Sequence, residues 1–145
     1  MRKEAITVIE KHELQIDATT ENLQTVLDFV DEHLDRLNCS AKARMQIDIA
    51  VEEIFVNIAS YAYSPETGKA ILKVESDEES GMVRIALADC GIPYNPLEKR
   101  DPDVTLAAED REIGGLGVYM VKKSMDDVLY EFKDGWNVLT LIKHC

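Results

Sequence analysis

Four of the chain's seven glycines fall in two short stretches, Asp89-Cys90-Gly91-Ile92-Pro93 and Gly114-Gly115-Leu116-Gly117. The other three, Gly68, Gly81 and Gly135, stand in polar segments between strand-like runs and read as turns. The clustered four sit beside apolar residues, where a turn alone explains little. Glycine admits positive φ and lets another group approach the backbone closely, so these two stretches mark a ligand site that the fold has to assemble.

With 145 residues, 46% hydrophobic and 30% charged, residues 1–145 are expected to form one globular domain with a real core. No apolar run approaches the ~20 residues of a membrane span. Met1-Arg2-Lys3-Glu4 leads into alternating residues rather than a signal-peptide core, so a cytoplasmic protein without membrane contact is expected. The net charge of −12 argues against direct nucleic-acid binding, which needs a positive footprint. A polyanionic ligand would therefore need local compensation from Mg²⁺, backbone N–H groups and nearby basic residues. Cys39, Cys90 and Cys145 are odd in number and lack CxxC spacing, so reduced thiols are expected rather than a disulfide or zinc framework. Cys90 reads as a small residue at a tight place.

Residues 5–9 and 13–17 alternate weakly and are expected to pair as a hairpin. Thr19 or Thr20 is expected to cap a helix to about residue 37, whose apolar positions Leu23, Val26, Leu27, Val30, Leu34 and Leu37 keep helical spacing. Ser40 then caps a second helix to about residue 62, apolar over a wide arc (Met45, Ile47, Ile49, Val51, Ile54, Phe55, Ile58) and so expected to be largely buried. Alternation predicts strands at about 69–76 and 82–89. Residues 90–112 hold Pro93, Pro96 and Pro102 and a charged run; a connection this long is usually functional, and it reads as a lid. A helix follows from Gly115–Gly117, with Tyr119, Met120 and Val121 packing inward, and a closing hairpin turns at Lys133-Asp134-Gly135. The order describes an α+β two-layer sandwich: a mixed, mostly antiparallel sheet with helices on one face.

Glu53 and Asn57 lie one turn apart on the second helix and project from one face. On an apolar helix both carry a desolvation penalty unless partnered. An Asn carbonyl oxygen is a hard ligand suited to Mg²⁺, and a carboxylate one turn away can orient water or accept a proton from a hydroxyl. Asp89, at a strand end, can accept a hydrogen bond from an exocyclic amine such as adenine N6, with Gly91 leaving room for the base. Gly115 and Gly117 open a helix whose free N–H groups favour phosphate. The third glycine of a dinucleotide fingerprint is missing, and no G-x-x-x-x-G-K-[ST] occurs. His12, His33 and His144 are scattered and read as surface residues.

Glu53-x-x-x-Asn57, Asp89-x-Gly91-x-Pro93 and Gly114-Gly115-Leu116-Gly117, in this order, resemble the N, G1 and G2 boxes of the Bergerat-fold ATPases. Within that superfamily the chain is similar to the anti-sigma factor serine/threonine kinases, through Val51–Ile58, Pro93-Tyr94-Asn95-Pro96 and Gly114–Lys123. The resemblance, from about residue 19 to 143, implies a histidine-kinase-like ATPase fold that uses ATP and Mg²⁺. It implies Glu53 as catalytic base and Asn57 as the Mg²⁺ ligand. Asp89 would read adenine, with Gly91, Pro93, Gly114, Gly115, Leu116 and Gly117 shaping the nucleotide site and residues 94–113 forming the ATP lid. It further implies a homodimer that binds a sigma factor in one state and phosphorylates an anti-anti-sigma antagonist in the other. The alternative is a nucleotide-dependent binding module of the same fold that controls another partner without kinase activity. Two positions depart from the pattern: Tyr61 stands where many relatives carry a basic residue, and Trp136-Asn137 where many carry Gly-Thr, Asn137 offering a polar contact near adenine instead.

Overall fold

The computed structural model describes residues 9–98 and 116–145. Strand β1 (Ile9–Asp17) leads through a 3-10 turn (Thr20–Asn22) into α1 (Leu23–Arg36) and α2 (Ala41–Asn57), whose last turn continues as a π-helical segment (Ile58–Ala62). Strands β2 (Lys69–Asp77) and β3 (Met82–Asp89) follow, then a short 3-10 turn (Pro96–Glu98), α3 (Leu116–Ser124), β4 (Asp127–Lys133) and β5 (Trp136–His144). The five strands are ordered β1-β2-β3-β5-β4, and every described pairing is antiparallel rather than mixed.

Period-two burial explains the sheet: Ala70, Leu72 and Val74 on β2, Val83, Ile85 and Leu87 on β3, and Leu139 and Leu141 on β5 are buried under the helices. Val26, Val30 and Leu34 of α1 and Ile47, Val51, Ile54 and Phe55 of α2 meet them in one core. The result is the α+β two-layer sandwich expected from the element order. Ser40 caps α2 as anticipated, its hydroxyl accepting the Ala43 N–H at 3.1 Å. Thr19 makes no side-chain cap; the chain enters α1 through the 3-10 turn instead. The last hairpin turns on Asp134 (φ 55°) and Gly135 (φ 86°), two successive positive-φ residues that match the right-handed strand twist.

Several expectations need correction. Residues 10–12 are not a turn: β1 pairs with β2 continuously from Ile9↔Asp77 to Asp17↔Lys69. Residues 1–8 lie outside the described residues. Met45 and Ile49 are 59% and 57% exposed, because the sheet, α1 and α3 cover only part of the α2 surface. Met120 of α3 is likewise exposed. His33 is buried, its Nδ1 2.7 Å from the Phe29 carbonyl oxygen and its ring 4.3 Å from that of His12. Cys39 and Cys145 are bonded as a disulfide, not free thiols; the end of β5 lies beside the α1–α2 loop, with Cα atoms 4.6 Å apart. Cys90 is a free thiol, and it is exposed rather than wedged into a tight place. No helix among the described residues is long and apolar enough to cross a membrane.

The α1–α2 interface carries a pH-sensitive contact. Burial, followed by the neighbouring Asp31 carboxylate, pushes the Asp48 carboxyl up to about 7, against an opposing pull from Arg44. Arg44 itself pairs with Asp31 at 3.7 Å and with Asp35. A carboxyl raised in the folded state binds its proton more tightly there than in the unfolded chain, so its stabilisation is present below the ordinary value of 3.8 and is lost as pH rises through about 7. The melting temperature of Asp48→Asn should therefore vary less than the parent's between about pH 5 and pH 8, with the variant gaining most at the alkaline end. Parallel melting curves for the two proteins across that range check it; equal slopes would remove Asp48 as the cause.

Candidate functional site

α2 places Glu53 and Asn57 on one wall of a pocket because Ile54, Phe55 and Ile58 take the core-facing positions of the same turns. Both polar side chains are half-buried. Gly117, in the first turn of α3, stands directly against the Glu53 carboxylate: a Cβ on Gly117 would overlap that carboxyl group. The close approach requires glycine and sets a carboxylate at a helix N-terminus, where backbone N–H groups and the helix dipole favour negative charge.

At the far wall Asp89 ends β3, 6% exposed, directly opposite Asn137 of β5, also 6% exposed, in the strand register. Such opposed pairs bring side chains into contact on one face. Asp89 Oδ1 accepts the Gly91 N–H at 2.9 Å and an Asn137 Nδ2 hydrogen at 3.0 Å. Asn137 Nδ2 also donates to the Ile92 carbonyl at 2.9 Å, while its Oδ1 accepts the Tyr94 N–H at 3.1 Å and the Tyr130 hydroxyl at 2.5 Å. Gly91 itself is not in the cavity lining, though its neighbours Asp89, Ile92 and Ala62 are. A Cβ there would overlap the backbone of Ala62, and the Ile92 N–H donates to the Ala62 carbonyl at 3.1 Å. The loop after β3 lies directly on the end of the π-helical turn, and this contact leaves no room for a side chain at Gly91.

Tyr63 braces the same loop. Its hydroxyl accepts the Cys90 N–H at 2.7 Å and donates to the Lys69 carbonyl at 2.6 Å, and burial is the main cause raising its phenol above the ordinary value. Gly68, read from sequence as a turn, is needed because a Cβ would overlap the Tyr63 ring.

Glu53, Asn57, Asp89, Asn137 and Gly117 line one cavity of about 520 Å³, together with Ile54, Ile58, Leu87, Val118 and Leu139. This combination of apolar walls and a few convergent polar groups, in a volume within the usual range of about 300–1,000 Å³, is that of a small-molecule site. Tyr61 stands at its edge, 69% exposed. Among the described residues no three His, Cys, Asp or Glu side chains converge as a metal site. A divalent cation at Asn57 would draw its remaining ligands from a bound anion and water, as Mg²⁺ commonly does.

Of the anticipated site residues, Glu53, Asn57, Asp89 and Gly117 meet in this cavity. Pro93 lies on an adjoining, more open depression with Asn95, Glu98 and the Tyr94 and Tyr130 that also line the cavity, and Gly91 packs against Ala62. Gly114 and Gly115 lie outside the described residues, as does the Leu116 side chain; of the anticipated lid, residues 99–113 lie outside them too. Tyr63 and Tyr130 were not anticipated. Tyr130 is diagonal to Asn137 across the final hairpin, a relation that the register of its two-residue turn contains.

The sequence profile of the histidine kinase-like ATPase domain matches residues 16–143. The chain is 30% identical over 132 residues to the serine/threonine-protein kinase BtrW of Bordetella bronchiseptica, covering 91% of each protein. It is 26% identical over 134 residues to the serine-protein kinase RsbW of Bacillus mycoides, covering 90% of this chain and 82% of that one. Its fold matches a solved structure holding the RsbU and RsbW domains of a Mycobacterium tuberculosis protein, with a TM-score of 0.65 and 17% identity over 93% of this chain and 32% of the solved one. With the profile spanning nearly the whole chain and the sandwich and pocket in place, the chain belongs to the histidine kinase-like ATPase domain family.

Proposed function

We propose that the chain is an ATP-dependent serine/threonine protein kinase of partner-switching type. It phosphorylates a hydroxyl on a small antagonist protein and, in another state, holds a sigma factor, working as a homodimer in the cytoplasm. The observation that carries the reading is the convergence of Glu53, Asn57, Asp89 and Gly117 on one cavity from three separate sequence motifs. The names of the Bordetella and Bacillus relatives support the kinase activity.

When bound, Mg·ATP supplies the phosphoryl group and the charge compensation for its transfer. The residues fit it. Asp89 is a buried acceptor in the cavity wall, where it takes the exocyclic amine of adenine. Asn57 offers its carboxamide oxygen to the cation. Glu53 accepts the proton of the attacking hydroxyl, and its contact with Gly117 fixes the carboxylate rather than leaving it to swing into solvent. The chain's net charge of −12 suits a basic surface on a partner, by electrostatic complementarity.

Incubation with γ-labelled ATP and candidate antagonist proteins tests the reading directly. Label on a serine or threonine of the antagonist is expected. Retained ATP binding with partner capture but no transfer would leave the same pocket serving as a nucleotide-gated binding module, and the kinase assignment would fall.

A further inference from the structure

We infer that Asn137, braced by Tyr130, is the positioning residue that makes this pocket selective for a 6-amino purine over a 6-oxo purine. The inference rests on Asp89 as the base-reading group proposed above. Asp89 has two carboxylate oxygens, and the fold commits one: Oδ1 receives both the Gly91 N–H and an Asn137 Nδ2 hydrogen. Oδ2 has no hydrogen-bond partner among the described residues and remains as the acceptor offered to the cavity that Asp89 lines.

Asn137 is committed as well. One wall of hydrogen bonds takes its donors (Asp89 Oδ1 and the Ile92 carbonyl) and another takes its acceptor (Tyr94 N–H and the Tyr130 hydroxyl). These bonds fix the amide orientation, because a flipped amide would set oxygen against Asp89 and nitrogen against the Tyr94 N–H. With the amide fixed, Asn137 has no donor left for a base, and the pocket presents a pure acceptor at Asp89. Adenine brings a donor there, N6–H₂. Guanine and hypoxanthine bring a carbonyl oxygen, which meets a carboxylate with no intervening proton. A site whose buried polar group is left unpaired by the wrong ligand discriminates strongly, by up to about 10⁴–10⁵-fold in well-built cases. Tyr130 comes from the edge strand β4, so the selectivity device spans three strands and the loop that leads into residues 94–98.

Displacement of a fluorescent ADP analogue by ATP and by GTP gives the two dissociation constants and their ratio. Asn137→Asp is close to isosteric and replaces the committed donor with a second carboxylate oxygen against Asp89. Asp89 and Tyr130 are the titratable side chains hydrogen-bonded to this position among the described residues. At pH 8 the ATP-over-GTP ratio of the variant should fall at least about tenfold from the parent value, and it should recover toward pH 5.5, where a shared proton restores the donor between the two carboxylates. Tyr130→Phe keeps the ring and should lower the ratio by a smaller factor, with ATP binding retained. Equal loss of ATP and GTP affinity, or a ratio unchanged across pH in both variants, would reduce Asn137 to ordinary packing and overturn the inference. Asp89→Asn separates the two layers: if it leaves the parent ratio unchanged, the base-reading role of Asp89 itself is wrong.

Discussion

Glu53→Gln should retain ATP binding and lower transfer to the protein acceptor about 10²–10⁴-fold, the contribution of a well-placed general base. The substitution keeps volume and the hydrogen-bonding outline against Gly117, so a loss of rate with intact affinity reports the missing proton acceptor. Asn57→Ala, one turn along the same wall, should behave in the opposite way: it removes the only hard carboxamide ligand proposed for the cation, and Mg²⁺-dependent ATP affinity should collapse before any rate is measured. Gly117→Ala reaches the carboxylate without touching it chemically. A methyl group there overlaps the Glu53 carboxyl, so the side chain has to leave its position at the start of α3. Its transfer rate should fall with that of Glu53→Gln, and the double variant should be no worse than the worse single one, since both disable the same group. Single-turnover transfer of labelled phosphate at saturating ATP measures all four proteins. A fall of less than about tenfold for Glu53→Gln would exclude it as the base.

Most of this site was legible because helical and strand periodicities place residues in predictable directions. Glu53 and Asn57 fall on one face whichever way α2 is packed, and the apolar residues at the neighbouring positions say which face is buried. Asp89 was recognisable as a strand end with a glycine two residues further on. What stayed hidden depends on distance along the chain. The gap between Gly91 and Ala62 closes only when the end of α2 docks on the loop after β3, so the glycine reads equally as space for a ligand or for backbone. Tyr63 bonds to Cys90 and Lys69 for the same reason. Asn137 is an intermediate case. Its position opposite Asp89 follows once β5 is known to pair with β3, but strand order is a global property that local alternation does not contain. The exposure of Met45, Ile49 and Met120 was also invisible, since an apolar residue announces hydrophobicity and not which neighbours the fold will provide.

Reduction of Cys39–Cys145 should lower the folding stability by about 2–4 kcal/mol, the usual effect of removing a cross-link. The two cysteines are 106 residues apart, so the bond closes a loop over most of the unfolded chain, and the loop-entropy treatment gives an upper figure of about 4.7 kcal/mol for a loop near this length. Spacing alone could not reveal the pair, because its geometry exists only after β5 has been laid beside the α1–α2 loop. Both cysteines pack against the core, so Cys39→Ser loses some apolar contact as well as the bond, and chemical reduction of the parent is the cleaner comparison. Urea unfolding with and without a dithiol should show a lower midpoint under reduction. Cys90→Ser, which removes the exposed free thiol, should leave both midpoints in place. In the unreduced native protein, thiol titration should find one reactive group, and after reduction and unfolding three. Three reactive thiols before reduction, with coincident urea curves, would show that the bond does not form. The effect should also be confined to stability. Cys145 follows His144, which pairs with Met82 at one end of the β3–β5 ladder, while Asn137 pairs with Asp89 at the other, about 23 Å away for seven strand residues. Nucleotide affinity measured well below the unfolding midpoint should therefore be the same in the oxidised and reduced protein. In a compartment that keeps thiols reduced, the pocket would keep its chemistry while the fold around it lost part of its margin.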